Sequence, residues 1–267
     1  MSKQPRTKRR LFQYSLRTFL ILLTAVCLWL GSKTEGVRMQ RRTVRLVKQM
    51  GGETAFDYEY TEDPSAAPKS PPGPALLRIV LGDDYFAKLV LVRLEKVSDV
   101  DIGHVTQPTT IRHLSLTGAI TDDSIDSICR LTNLESLELS GVRFTGAGLA
   151  KLSDLPHLRS LAINNTPVSQ ESARQIGRLT GLERLSLANT RLTSKLVRHL
   201  SHLEKLATLD LSGTLVGDEG VEDLSSLRQL KEIRLEGSMV SKEGIKKLQA
   251  ALPSAQISSM AFGGGMF

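Results

Sequence analysis

A 24-residue period in the aliphatic residues constrains this chain more than any other feature. Leu134, Leu137, Leu139, Phe144, Leu149, Leu152 and Leu155 recur one period later as Leu158, Leu161, Ile163, Val168, Ala173, Ile176 and Leu179. The same series continues from Leu182 to Leu203, from Leu206 to Leu227 and from Leu230 to Leu248. Towards the N-terminus, Ile111, Leu114, Leu116, Ile120, Ile125, Ile128 and Leu131 fit after one deletion, and Ala87, Val90, Val92, Val97, Ile102 and Val105 form a degraded first unit. A period of this length marks an array of supersecondary units, none of which can bury its apolar side alone. Stacking seven of them creates one continuous core.

The spacing inside a unit predicts its shape. The paired leucines, as in Leu137-Glu138-Leu139, have period two and belong to a short strand with both leucines inward. The next apolar residues follow at helical spacing. Between strand and helix stands Ser98, Thr121, Thr145, Ser169, Thr193, Gly217 or Ser241, each a suitable N-cap. Each unit is therefore strand, turn and capped helix, and the strands of successive units form a curved parallel sheet. Pro253 ends the last helix, and Ile257 and Met260 are expected to cover the far end.

The pattern L-x-x-L-x-L-x-x-T-x-V resembles the leucine-rich repeat family over about 170 residues, two thirds of the chain. Thr166, Thr190, Thr214 and Ser238 fill the slot where that family often has Asn or Cys, with hydroxyls expected to bond backbone between coils. The form is similar to ribonuclease-inhibitor-like repeats and to bacterial repeat proteins with an N-terminal membrane anchor. The resemblance implies an α/β solenoid with helices on the convex side, serving as a binding scaffold.

The charge divides sharply. Residues 1–50 carry +11 and residues 51–267 carry −4, so the net +7 belongs to the N-terminus. There, Lys3, Arg6, Lys8, Arg9 and Arg10 precede a segment from Leu11 to Ser32 with one charge, Arg17, in 22 residues. As a helix it would span about 33 Å, enough for a bilayer core. It reads as a single-pass signal anchor, with a cleaved signal peptide and a buried helix as alternatives. The repeats are then expected on the extracytoplasmic side, although basic residues flank both ends of the segment and leave its orientation weakly encoded. Val37, Val44 and Val47 continue a helical spacing that Gly51-Gly52 ends, and Thr54–Tyr60 alternates like a strand. Five prolines, Pro64, Pro68, Pro71, Pro72 and Pro74, mark a linker. The organisation is read as residues 1–35, basic start and transmembrane anchor; 36–60, basic juxtamembrane helix and short strand; 61–74, linker; 75–260, repeat domain with its caps; and 261–267, flexible tail.

Catalytic signatures are missing from the sequence. It contains no HExxH, CxxC, GxSxG or glycine-rich phosphate loop. His199 and His202 lie on one convex turn without further ligands nearby in sequence. Cys27 and Cys129 allow at most one disulfide. No cofactor or metal is expected, and the chain reads as non-enzymatic.

In-register strands would align three outward rows on the concave sheet. The first is Leu89, His113, Ser136, Ser160, Arg184, Thr208 and Glu232. The second is Leu91, Ser115, Glu138, Ala162, Ser186, Asp210 and Arg234. The third is Arg93, Thr117, Ser140, Asn164, Ala188, Ser212 and Glu236. His113, Ser136 and Glu138 mimic parts of a catalytic triad, but an open sheet supplies neither an oxyanion hole nor water exclusion. The rows hold no aromatic residue. Their basic residues Arg93, Arg184 and Arg234 are few and two have acidic neighbours, so nucleic acid is not an expected partner. The expected binding surface for another protein is Asn164, Arg184, Ser186, Asp210, Glu232, Arg234 and Glu236. The reading is a membrane-anchored scaffold; the alternatives are an intracellular substrate-recognition adaptor of the F-box type and a structural envelope component.

Overall fold

Successive units do form successive coils. The computed structural model describes residues 16–61, 65 and 69–259, so the basic residues before Leu16, Met260 and the 261–267 tail lie outside the described residues. Its nine strands form one sheet in sequence order. β1 (Glu53–Phe56) runs antiparallel to β2 (Leu89–Ser98), and every later pairing is parallel: β3 (His113–Ala119), β4 (Ser136–Ser140), β5 (Ser160–Asn164), β6 (Arg184–Ser186), β7 (Thr208–Asp210), β8 (Glu232–Arg234) and β9 (Gln256–Ser258). Short helices fill the other side: α3 (Asp99–Val105), α4 (Ile125–Cys129), α5 (Gly146–Lys151), α6 (Gln170–Ile176), α7 (Ser194–Val197), α8 (Val221–Ser225) and α9 (Lys242–Ala251). Several are only one or two turns long and continue as 3₁₀ turns. This is an α/β solenoid of repeated strand–turn–helix coils, and the repeat leucines and isoleucines form one core from Leu89 to Leu252.

The parallel ladder aligns identical slots. Leu137, Leu161, Leu185, Leu209, Ile233 and Ile257 are lateral partners. The first five are buried and Ile257, at the end, is half-buried. After β4, β5, β6, β7 and β8 the chain turns through one left-handed residue, occupied by Gly141, Asn165, Asn189, Gly213 and Gly237, with φ of 68°, 55°, 54°, 65° and 68°. Only Gly, and to a lesser degree Asn, adopts that region without steric cost.

All seven expected capping residues stand immediately before a helical segment. Carboxylates of the preceding coil tie several of them together. Asp99 accepts from the Thr121 amide (2.9 Å), the Thr121 hydroxyl (2.8 Å) and Ser124 Oγ. Asp122 accepts from the Thr145 amide and hydroxyl, and Asp218 accepts from the Ser241 amide (2.8 Å) and hydroxyl (2.7 Å). Gly146, Gln170 and Ser194 occupy the equivalent slot in three middle coils, so the carboxylate chain is interrupted there, although Ser194 Oγ still accepts from the Gly217 amide at 2.9 Å. The buried slot hydroxyls act within their own coil instead of between coils. Thr190 Oγ1 donates to the Leu187 carbonyl and Thr214 Oγ1 to the Leu211 carbonyl, both at 2.7 Å.

These carboxylates make stability depend on pH. Burial raises the pKa of Asp99, but the hydrogen bonds from Ser124 and Thr121 outweigh it and hold the group below its ordinary value. Hydrogen bonds from Ser241 lower Asp218 in the same way. A carboxylate depressed in the folded state contributes stability that is complete above its unfolded pKa of about 3.9 and is lost as pH falls through the folded value. The expected result is a melting temperature that declines below about pH 4. In Asp99→Asn/Asp218→Asn the decline is shallower. An unchanged slope in thermal melts across that range would refute this role.

The first coil departs from the expected register. Val92 lies beside Leu114 and Leu94 beside Leu116, so Leu91, not Leu89, is the neighbour of His113. The pairing is two residues off the sequence expectation, which keeps the inward alternation of Val90, Val92 and Leu94 intact. A bulge between Glu95 and Val97, with Lys96 at φ 57°, restores the later alignment. Leu89 is fully buried, and its amide donates to Gln40 Oε1 at 2.6 Å.

Gln40 belongs to α1 (Leu16–Gln49), a single unbroken helix. Its C-terminal part seals the first coil through buried Val37, Gln40, Thr43 and Val47. Arg41 reaches α2 (Ala75–Leu81) and the turn after it, donating to both Asp84 oxygens at 2.6 and 2.9 Å and to the Leu81 carbonyl at 2.5 Å. α2 buries none of its own side chains. The single-pass membrane reading of residues 11–32 is overturned: among the described residues, no helix is long and apolar enough to cross a membrane. Between Arg17 and Lys33 the uncharged run is fifteen residues, about 22 Å of helix against a hydrocarbon core of about 30 Å. The helix then passes without a break into the basic segment that docks on the repeats.

Candidate functional site

The concave sheet brings the expected surface together. Arg184, Thr208 and Glu232 are lateral partners on β6, β7 and β8, and Ser186, Asp210 and Arg234 are partners two residues further on. Much of this polarity is spent internally. Asn164 Oδ1 accepts from Ser186 Oγ at 2.8 Å and from the Ala188 amide at 2.9 Å. Asp210 Oδ1 accepts from the Ser212 amide, and Ser212 Oγ donates to Glu236 Oε2, each at 2.9 Å. Arg234 Nε donates along its own strand to Glu232 Oε1 at 2.7 Å. That hydrogen bond and the Glu232 charge raise the guanidinium pKa further. Arg184 is exposed and has no ion pair among the described residues.

The triad-like group is dispersed by its hydrogen bonds. His113 and Ser136 are lateral partners, as are Ser115 and Glu138. Glu138 Oε2 accepts from Ser115 Oγ at 3.0 Å, and the His113 ring lies against a residue the repeat pattern does not contain. Tyr60 packs on it at a tilt of 31°, with ring centroids 4.2 Å apart and Oη 3.4 Å from Nδ1. The segment after β1 delivers this ring. The amides of Glu59 and Tyr60 both donate to the Phe56 carbonyl, which reverses the chain, while Asp57 and Lys88 exchange hydrogen bonds that pin the turn to the first coil. Tyr60, Arg93, His113, Ser115, Ser136 and Glu138 then border a notch of about 150 Å³ at the N-terminal end of the concave face. Arg93 is already paired with Glu53 at 3.0 Å. The sequence carried a signal for Tyr60 in the alternation Phe56, Tyr58, Tyr60, but counting repeats could not place it on the sheet.

The remaining reactive groups are ordinary. Burial pushes the Cys129 thiol up to about 11, with Asp154 and Asp126 adding to the shift, so its thiolate is scarce at neutral pH. Among the described residues, no three His, Cys, Asp or Glu side chains are grouped to hold a metal.

No family model matches the chain, and no curated protein matches it. Among solved structures, it is similar to an internalin (inlF) from Listeria monocytogenes str. 4b F2365, with 22% identity and a TM-score of 0.48 over 62% of this chain and 52% of that one. It is also similar to an internalin C2 (inlC2) from the same strain, with 19% identity and a TM-score of 0.44 over 66% of this chain and 82% of that one. The chain thus spans about half the length of the inlF structure.

Proposed function

We propose that this protein is a non-enzymatic scaffold that binds another protein through its concave sheet, with Asn164, Arg184, Ser186, Asp210, Glu232, Arg234 and Glu236 forming the contact surface. The observation that carries the reading is the aligned, solvent-facing set on β6 to β8, in which Arg184 stands exposed without an ion pair among the described residues while its neighbours hold one another in place. A guanidinium on a pre-ordered surface can make forked bonds to a partner's carboxylate, and arginine is enriched at interfaces. Asn164 and Ser186 serve this surface by fixing the backbone of the coil that carries Ala188.

The test is capture of a partner by the immobilised full chain. Arg184→Ala is expected to weaken capture at least tenfold, and Arg234→Ala to weaken it less because its charge is already shared with Glu232. The convex change His199→Ala is expected to leave capture unchanged. Loss of capture with His199→Ala, and none with the concave changes, would place the interface on the opposite face.

A further inference from the structure

We infer that the notch at the N-terminal end of the concave sheet is a receptor for a cationic side chain, arginine above all, presented by an extended segment of the bound protein; this rests on the scaffold reading and adds a specificity site to it. The charge of the notch decides the sign of its ligand. Arg93 is neutralised by Glu53 at 3.0 Å, whereas Glu138 receives only a neutral hydroxyl, from Ser115. With the His113 imidazole neutral, the net charge left at the notch is that of one carboxylate, and Glu138 Oε1 has no partner among the described residues. Half-buried Ser136 lies two residues away on the same face of β4. One wall is the aromatic ring of Tyr60, held in place by its tilted packing against His113. Half-buried Leu91 supplies apolar surface beside it.

A carboxylate, a hydroxyl and an aromatic face around one small notch match a guanidinium. Its fork satisfies Glu138 Oε1 and Ser136 Oγ, its plane lies against the Tyr60 ring, and its methylene stem covers Leu91. An anionic side chain would meet Glu138 unscreened, and a purely apolar one would strip water from Glu138 and Ser136 without replacing it. The notch, about 150 Å³, admits one side chain and not a folded element. Partner specificity thus divides along the sheet: the N-terminal coils take a cation and the C-terminal coils, through Arg184, take an anion.

The experiment titrates the full chain with acetyl-Gly-Arg-Gly-amide, with its neutral isostere acetyl-Gly-citrulline-Gly-amide and with acetyl-Gly-Glu-Gly-amide, following the His113 and Tyr60 ring signals by NMR. The expected result is saturable movement of both rings with the arginine peptide only. Glu138→Gln, which keeps an acceptor for Ser115, is expected to weaken binding at least tenfold. Tyr60→Leu is expected to weaken it several-fold, and the convex change His199→Ala to leave it unchanged. Equal binding of the citrulline or glutamate peptide would overturn the inference, as would full binding by Glu138→Gln. If protein capture depends on Arg184 while the arginine peptide never binds, this inference fails alone. If the peptide binds as described and no concave change alters protein capture, the scaffold reading fails alone.

Discussion

Truncating Leu209 to Ala is expected to cost about 2–5 kcal/mol of unfolding free energy. Leu209 is completely buried on β7, with Leu185 and Ile233 as its lateral partners. Both neighbours belong to rigid strands of adjacent coils, so the space left by the lost atoms cannot collapse readily, and the transfer loss and the cavity both count. A deleted contact in mid-array also weakens two interfaces at once, because each coil touches only the coil before and the coil after it. Its chain neighbour Thr208 faces outward, and Thr208→Ala is expected to change stability by no more than about 0.5 kcal/mol. Urea denaturation of the two variants checks the pair. A Leu209→Ala effect below about 1 kcal/mol would contradict the inward register.

Gly177→Ala is expected to be comparably damaging, at about 3 kcal/mol. Gly177 ends α6 with ordinary helical torsions, φ −62° and ψ −14°, so its torsions alone would tolerate a side chain. Its environment would not. A Cβ there would fall well inside van der Waals contact with the carbonyl oxygen of His199 in the next coil. That atom is backbone and cannot rotate away, so the substitution forces two coils apart. Gly103 in α3 is the matched control, since a Cβ there meets nothing nearer than Ser127 Oγ at 3.8 Å. Gly103→Ala is expected to be neutral or stabilising by up to about 1 kcal/mol, from helix propensity and lost unfolded-chain entropy. Thermal melts of both variants make the comparison, and equal effects would show that the close approach is relieved without cost.

The coils are legible in the sequence because a solenoid is built from local rules repeated. The 24-residue spacing sets lateral partners such as Leu161 and Leu185, and Ser or Thr before each apolar stripe marks where the convex segment begins. The concave rows from His113 onward follow from the same counting. What escaped it was set by contacts outside the period. The two-residue slide of β2 preserves its inward alternation, so hydrophobic pattern alone could not detect it; Lys96 in a left-handed bulge is the compensation. Tyr60 reaches the sheet only because the chain reverses after Phe56. The hydroxyls of Thr190 and Thr214 find a carbonyl three residues back in their own coil. The apolar run of α1 invited a membrane reading because length was counted from Leu11 across Arg17, and the same helix proves to be rooted in the repeat core.

That rooting has a mechanical consequence. α1 is clamped from Val37 onward, yet Phe19, Leu20, Ile21, Leu23 and Leu28 stand exposed on the part that precedes the clamp. From Leu16 to Val37 the helix extends about 30 Å, a lever whose fulcrum is the first coil. A pivot of about 10° at Val37 would sweep its tip through about 5 Å at that helical rise. Conversely, a load at the tip arrives multiplied at the Gln40–Leu89 hydrogen bond and the Arg41–Asp84 fork. Force applied to the N-terminal arm is thus felt first at β2, the strand that carries Leu91 and Arg93 to the concave notch.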